Sequence, residues 1–350
     1  MVPRGGGGQG GRVGLRVKAA ARERAQQVLE RCRALGFAAA GVCAAEPSRF
    51  AGQYQAWIER GEHGTMAYMG KNVDVRLDVR LMIEGARSVV MVADQYALRG
   101  DVEDERRAGF GRVARYARGD DYHDVIKKRL HALCDELAAA HPGEQFRAFV
   151  DTAPVLEREL AARCGIGWQG KHTLTINPAL GSYLLLGGIV TTMELEPPPQ
   201  QAVVTDHCGT CTRCIDACPT QAIRPYGVNA TRCISYLTIE YRGEIRQEFH
   251  RAMGDWIFGC DICQEVCPHN SARREQRGGV HPAYAVKRTG FDLLEVLGWT
   301  EEDRRAAFKG SSMKRAKLEM MKRNAAIAAE NVGPKMTEQR RGAGGGCQAE

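Results

Sequence analysis

The sequence predicts an α+β protein, and three observations carry that reading. Strand-like apolar runs and amphipathic helical runs are interspersed between residues 15 and 198. Pro197-Pro-Pro199 then punctuates the chain. Beyond it, eight of the 13 cysteines fall between Cys208 and Cys267. The expected parts are a disordered leader at 1–14, a first folded domain at 15–198 and a cysteine-rich domain at 199–275. A helical segment at 276–332 and a disordered tail at 333–350 complete the chain.

The elements justify themselves in order. The leader is rich in Gly and Arg and lacks apolar periodicity. Val17, Ala21, Val28, Leu29 and Leu35 recur at helical spacing, and Gly36 ends that run. Phe37 to Val42 reads as a short strand, and Ser88 to Ala93 as a buried one because it is β-branched and apolar. Glycines bound the segment Gly61 to Gly70, which holds His63, Met66, Tyr68 and Met69. Asp121 to Leu137 is helical, Phe146 to Asp151 extended, and Pro154 opens a helix to Arg163. A glycine-rich loop, Gly165 to Gly170, precedes a buried strand at Tyr183 to Thr192. Helices are expected near 290–297, 301–308 and 313–330, the last with Ala316, Met320, Asn324 and Ile327 on one stripe.

The cysteine spacing carries the chemistry. Cys208, Cys211, Cys214 and Cys218-Pro219 form a C-x2-C-x2-C-x3-C-P run. Cys260, Cys263 and Cys267-Pro268 repeat it, with the first cysteine displaced to Cys233. In bacterial ferredoxin-type runs the first three thiolates bind one [4Fe–4S] cluster and the fourth crosses to the other. Cys208, Cys211, Cys214 and Cys267 are thus assigned to one cluster, and Cys218, Cys233, Cys260 and Cys263 to the second. Zinc also binds C-x2-C pairs, but zinc ribbons lack the third cysteine and the C-P ending. A disulfide framework would accompany a secretory signal, and none is seen. Cys32, Cys43, Cys134, Cys164 and Cys347 are scattered and read as free thiols.

Net charge is +7, which favours an anionic partner, and its distribution says more. Residues 1–33 hold eight Lys or Arg against two Glu. Residues 304–323 hold Arg304, Arg305, Lys309, Lys314, Arg315, Lys317, Lys322 and Arg323 against Glu319. A solvated helix face and a phosphate-binding face both fit the second cluster. No apolar run reaches the roughly 18 residues of a membrane span. A reducing cytoplasm is the expected compartment.

Asp151 ends a strand, where a helix cap and a catalytic acid are both reasonable. Gly165–Gly170 followed by Lys171 matches no nucleotide-binding motif. Asp121-Tyr-His123 begins like a cobalamin D-x-H-x-x-G motif, but Ile126 stands where Gly should be. His123 is therefore not expected to ligate cobalt.

Longer motifs are more specific. They are Arg115-Tyr-Ala-Arg-Gly-Asp-Asp-Tyr-His123, Val150-Asp-Thr-Ala-Pro-Val-Leu-Glu-Arg158 and Ala162-Arg-Cys-Gly-Ile-Gly-Trp-Gln-Gly-Lys-His-Thr173. With Trp57, His63-Gly-Thr-Met66-Ala-Tyr-Met69, Gly181-Ser-Tyr and Cys233-Ile-Ser-Tyr-Leu-Thr-Ile-Glu240, they resemble the epoxyqueuosine reductases over about residues 20 to 331. The resemblance implies reduction of epoxyqueuosine to queuosine at the tRNA wobble position, using cobalamin and two [4Fe–4S] clusters. It implies a nitroreductase- and reductive-dehalogenase-like cobalamin domain, then a ferredoxin-like two-cluster domain. It implies that Asp151 donates the proton, with no protein ligand to cobalt. Arg158, His172 and Thr175, and further Arg76, Tyr116, Ile234 and Tyr241, are the implied cobalamin contacts. The implied partners are the tRNA anticodon loop and a reductant such as a flavodoxin or ferredoxin, with no membrane and a monomeric chain.

Two departures stand out. Family members often have C-P-W-N where this chain has Cys267-Pro-His269-Asn270, which puts the shielding of one cluster in question. They commonly continue into HEAT-like repeats, and none is expected here as a domain. Two competing functions remain. One is a corrinoid reductive dehalogenase, for which a twin-arginine export signal would be expected. The other is a ferredoxin-like carrier, which about 200 residues before the first cluster argue against.

Overall fold

The computed structural model describes residues 9–98, 107–271 and 279–332, with side chains from residue 17 onward. The strands are β1 (Ala39–Ala44), β2 (Ser88–Gln95), β3 (Phe110–Val113), β4 (Phe146–Phe149), β5 (Trp168–Gln169) and β6 (Thr175–Ile176). They continue with β7 (Leu184–Thr191), β8 (Ile223–Arg224), β9 (Gly227–Val228), β10 (Trp256–Phe258) and β11 (Gly290–Asp292).

An antiparallel sheet ordered β1-β2-β7-β4 forms the first domain. Every residue of β2 is buried, because helices cover both sheet faces and successive side chains alternate between them. Val90 and Val92 meet Val28, Leu29, Ile126 and Leu130 of helices Gln9–Ala34 and Tyr122–Ala140. Val89, Met91 and Ala93 meet Leu160, Ala161 and Cys164 of the helix Glu157–Arg163 and its end. That is why this strand reads as a continuous apolar run rather than an alternation.

A second sheet, β10-β3-β11, ties the parts of the chain together. β3 comes from the first domain, pairs in parallel with β10 of the cysteine-rich domain, and pairs antiparallel with β11 of the C-terminal segment. The residue 198 and 275 boundaries mark composition, while the hydrogen-bonded sheet crosses them. A buried amide network docks the domains again. Asn270 donates to Ser182 Oγ at 2.9 Å and to the Gln264 carbonyl at 2.8 Å. The Ser182 backbone N–H donates to Asn270 Oδ1 at 2.8 Å. The Gly181-Ser-Tyr and Pro-His-Asn motifs are thus two halves of one joint.

Several sequence expectations are corrected. Residues 9–14 belong to the helix Gln9–Ala34 rather than to a leader. Helix propagation from the buried Ala21, Ala25, Val28 and Leu29 turns outweighs the glycine penalty of roughly 1 kcal/mol per residue. The expected tail from 333 lies outside the described residues. The helix placed at Pro154 begins at Glu157, since residues 151–155 form bends. The stretch at 290–292 is a strand, paired as above, before the helix Leu293–Gly298. The helix expected at 313–330 divides into a 3-10 turn, Ser312–Arg315, and a helix, Leu318–Val332. Its apolar stripe is buried as expected: Ala316, Met320, Asn324 and Ile327 are each under 5% exposed.

The basic cluster is not uniformly outward. Arg323 donates to the carbonyls of Leu237, at 2.7 Å, and of Tyr241, at 2.7 Å, and also to that of Gly243. It fastens the last helix to the turn after Ile234–Ile239, because those terminal carbonyls have no helical partner. Arg323→Ala should lower stability by about 1–3 kcal/mol, since charge-assisted bonds to two part-buried carbonyls and one exposed carbonyl are lost together. Lys322→Ala, one residue away, should stay within about 0.5 kcal/mol of the parent. Equal chemical-denaturation midpoints for the two variants would remove Arg323 from this structural role.

Candidate active site

β4 ends at Phe149, and the chain then turns sharply before the helix Glu157–Arg163. Asp151 adopts φ +47°, a left-handed conformation that costs a non-glycine residue energy and that surrounding structure must enforce. Here the enforcement is visible: the Asp151 backbone N–H donates to Glu157 Oε1 at 2.7 Å. The helix N-cap is Leu156 and no side chain caps it. The cap reading of Asp151 therefore falls.

Instead, Asp151 Oδ2 lies 3.1 Å from His123 Nε2, and His123 Nδ1 lies 2.7 Å from Asp121 Oδ1. Asp121 caps the helix Tyr122–Ala140 through the His123 N–H. One imidazole thus bridges two carboxylates. Burial works against charging His123, but hydrogen bonds and charge from Asp121 and Asp151 overcome it and lift the pKa to about 9. Burial alone would raise Asp151, yet the His123 bond and charge, with Arg315 and Arg158, hold it below the usual carboxylate range. Glu157 goes the other way. Burial and the neighbouring Asp151 charge push it up to about 8, so it is mostly protonated at neutral pH.

Asp151 and Arg158 are exposed residues, yet the protein around them desolvates both. We take the space in front of these two side chains as the candidate cleft. Arg158 donates to the carbonyl and hydroxyl of Thr173 at 2.9 and 3.0 Å. His172 beside it is buried, and desolvation followed by the Arg158 charge lowers it to about 4. Its Nδ1 accepts from the Leu174 N–H at 3.2 Å, while its buried Nε2 has no partner. Thr175 Oγ1 and Arg76 Nε are likewise buried without partners. Three of the expected cofactor contacts therefore keep unsatisfied polar atoms, which natural structures rarely leave without a ligand or water.

The other expected contacts sit differently. Tyr116 packs edge-on to Tyr122 at 6.2 Å and feels the Asp151 charge. Ile234 is 2% exposed, in the core that also holds Tyr236 and Trp256. Tyr241 borders that core, 6.0 Å from Tyr236. Arg76 stands by Tyr54 at 5.9 Å, and no described contact joins it to Asp151.

The cysteines gather in two groups. Cys208, Cys211, Cys214 and Cys267 line one small cavity, with Lys171, His172, His207 and His269. Burial first, then those three neighbouring thiols, push Cys267 up to about 11. Cys260 is raised by burial and feels Cys233 and Cys218, and Cys263 feels Cys260, Cys233 and, across the gap, Cys214. The Ala222 N–H donates to Cys218 Sγ at 3.3 Å, the kind of bond that tunes a cluster. Among the described residues no three His, Cys, Asp or Glu side chains converge closely enough for a single metal ion. A cubane, with four separate iron corners, takes its thiolates further apart. His269 is buried and edge-on to Trp168 at 4.8 Å, so this corner is covered by packing. Lys171 donates to the carbonyls of Gly209 at 2.6 Å and Cys211 at 3.1 Å, fixing the first cysteine loop to the glycine-rich loop.

Sequence reasoning missed His123, Glu157 and Arg315 as neighbours of Asp151. The Asp121-Tyr-His123 motif was the available signal, but only the approach of two distant segments gives it a partner.

Fold and site together define a redox protein with a two-cluster iron–sulfur domain joined to an α+β domain. A family model described as a 4Fe-4S double cluster binding domain matches residues 207–270. Another, described as epoxyqueuosine reductase QueG, matches residues 76–152. The epoxyqueuosine reductase of Leadbetterella byssophila is 41% identical over 298 residues, covering 85% of this chain and 95% of the relative. That of Pseudomonas aeruginosa is 39% identical, covering 88% and 85%. A crystal structure of a selenomethionine-labelled epoxyqueuosine reductase superposes with TM-score 0.78 at 28% identity, covering 90% of this chain and 83% of that one. One with an epoxyqueuosine-modified tRNA-Tyr stem loop gives TM-score 0.77 at 28% identity, covering 88% and 81%. The chain belongs to the epoxyqueuosine reductase family. No helix among the described residues is long and apolar enough to cross a membrane.

Proposed function

We propose that this chain reduces epoxyqueuosine to queuosine at the wobble position of a tRNA. Two electrons and two protons turn the epoxide into an alkene and release its oxygen as water. The observation that carries the reading is the bridged Asp121–His123–Asp151 unit, opening into a cleft with unsatisfied polar atoms, in a chain of this family. The amide arms of a corrin suit those atoms. Arg76, Arg158, His172 and Thr175 would hold cobalamin, with Tyr116, Ile234 and Tyr241 as further contacts. Both His123 nitrogens face carboxylates, which leaves it no lone pair for cobalt. Bound here, cobalamin and the two [4Fe–4S] clusters would supply the reducing electrons singly.

The chain's own work is proton handling. Below about pH 9 the His123–Asp151 couple holds one proton more than its neutral-imidazole form. In the open cleft that proton rests on His123. A bound substrate excludes water, and desolvation then raises the Asp151 carboxyl. The proton can cross 3.1 Å from Nε2 to Oδ2 and reach the departing oxygen from there. Glu157 holds the turn, so Asp151 keeps its aim.

Exposed Lys314 and Lys317 flank Arg315, whose charge Asp151 feels, so phosphate-binding groups stand near this cleft. A flavodoxin- or ferredoxin-type donor would recharge the clusters. The chain would act as a monomer, and a tRNA substrate would set its work in the cytoplasm. Anaerobically reconstituted protein, given tRNA bearing epoxyqueuosine and a low-potential reductant, should convert it to queuosine only when a corrinoid is present. Intact epoxide alongside dehalogenation of an aryl halide would favour the reductive dehalogenase reading instead.

A further inference from the structure

The turn Gly61–Gly70 is held at both ends. The Thr65 N–H donates to the Tyr236 hydroxyl at 2.8 Å, and the Tyr54 hydroxyl donates to the Met69 carbonyl at 2.6 Å. Gly64 has φ +61°, and an added Cβ there would lie 2.3 Å from the Tyr236 oxygen, so the approach requires glycine. Between these anchors Tyr68 projects outward, 43% exposed. The Arg315 guanidinium lies over its ring, 5.2 Å from the centroid. Arg315 is itself fixed by Glu240, donating from Nη2 to Oε2 at 2.8 Å. Lys314, the residue before Arg315, lies 3.8 Å from Asp121 Oδ2, and Asp121 is joined through His123 to Asp151, so the Tyr68 ring stands beside the Asp151 cleft.

A rigidly mounted aromatic ring, open to solvent and backed by a guanidinium, has the form of a base-stacking platform. We propose that Tyr68 stacks against the substrate's modified base as it enters the cleft, with Arg315 backing the ring. This rests on the functional reading above. The ring face supplies the interaction and the hydroxyl does not, because the hydroxyl is engaged by the Arg315 side chain. Since the contact is to the base, it serves the nucleoside and the whole tRNA alike.

The test compares Tyr68→Leu and Tyr68→Phe in the reconstituted holoenzyme, with tRNA bearing epoxyqueuosine and with free epoxyqueuosine nucleoside. Tyr68→Leu should raise KM about 10–100-fold for both substrates, with a smaller change in kcat. Tyr68→Phe should stay within about twofold of the parent, because it keeps the stacking face. Iron content and corrinoid absorbance should match the parent in both variants, since the side chain is on the surface. Unchanged KM in Tyr68→Leu, or equal damage in Tyr68→Phe, overturns the proposal while parental turnover upholds the functional reading. A parent protein that leaves epoxyqueuosine intact overturns both.

Discussion

Asp151→Asn is expected to keep both iron–sulfur clusters and bound corrinoid while losing about 10²–10⁴-fold in turnover. Asparagine preserves size and can still meet His123, but it cannot pass on a proton. The pH dependence follows from the same couple. His123 is raised above its ordinary value to about 9, so the charged bridge is complete below the unfolded value of 6.5. It is lost as pH rises through about 9, and parental turnover should fall over that window. In the variant one of the two carboxylates that raise His123 is gone, so its residual turnover should fall at lower pH. Near-parental turnover by Asp151→Asn, measured under anaerobic single-turnover conditions, would show that the proton comes from elsewhere. Glu157, mostly protonated at neutral pH, would then be the next candidate.

Cys218→Ser is expected to damage the cluster assigned to Cys260 and Cys263, not the one whose other cysteines adjoin Cys218 in sequence. Cys260 feels both Cys233 and Cys218, whereas Cys267 feels Cys208, Cys211 and Cys214. A hydroxyl is a poorer ligand for iron than a thiolate, so the iron content should drop from about eight toward four, by the two-cluster ligand count. Turnover should disappear with it, since single electrons could no longer cross both centres. Cys267→Ser should produce the complementary loss. Spectroscopy that finds the Cys208-side cluster missing in Cys218→Ser would reverse the assignment.

Much of the molecule was legible in one dimension because the chemistry is local. Cysteine spacing of two and three residues is set by the cluster, so Cys208 to Cys218 and Cys260 to Cys267 announce themselves. The β-branched run at Ser88–Ala93 reports a strand covered on both faces, and the structure covers it so. The Ala316, Met320, Asn324, Ile327 stripe reports a docked face even though a turn and not a helix begins it.

The candidate site was legible only as a list. Asp151 could have been a helix cap, and a helix beginning six residues later excludes that. His123 is 28 residues away and gains meaning when β4 and the helix Tyr122–Ala140 bring it to 3.1 Å. Arg323 and Arg315 are eight residues apart in one basic run, yet one is bound to backbone carbonyls and the other stands over Tyr68. A sequence determines which groups are present and which short-range geometries they favour. Tertiary structure decides their partners, because burial and the distance to another charge set whether a carboxylate, imidazole or guanidinium acts as glue, as proton store or as substrate contact.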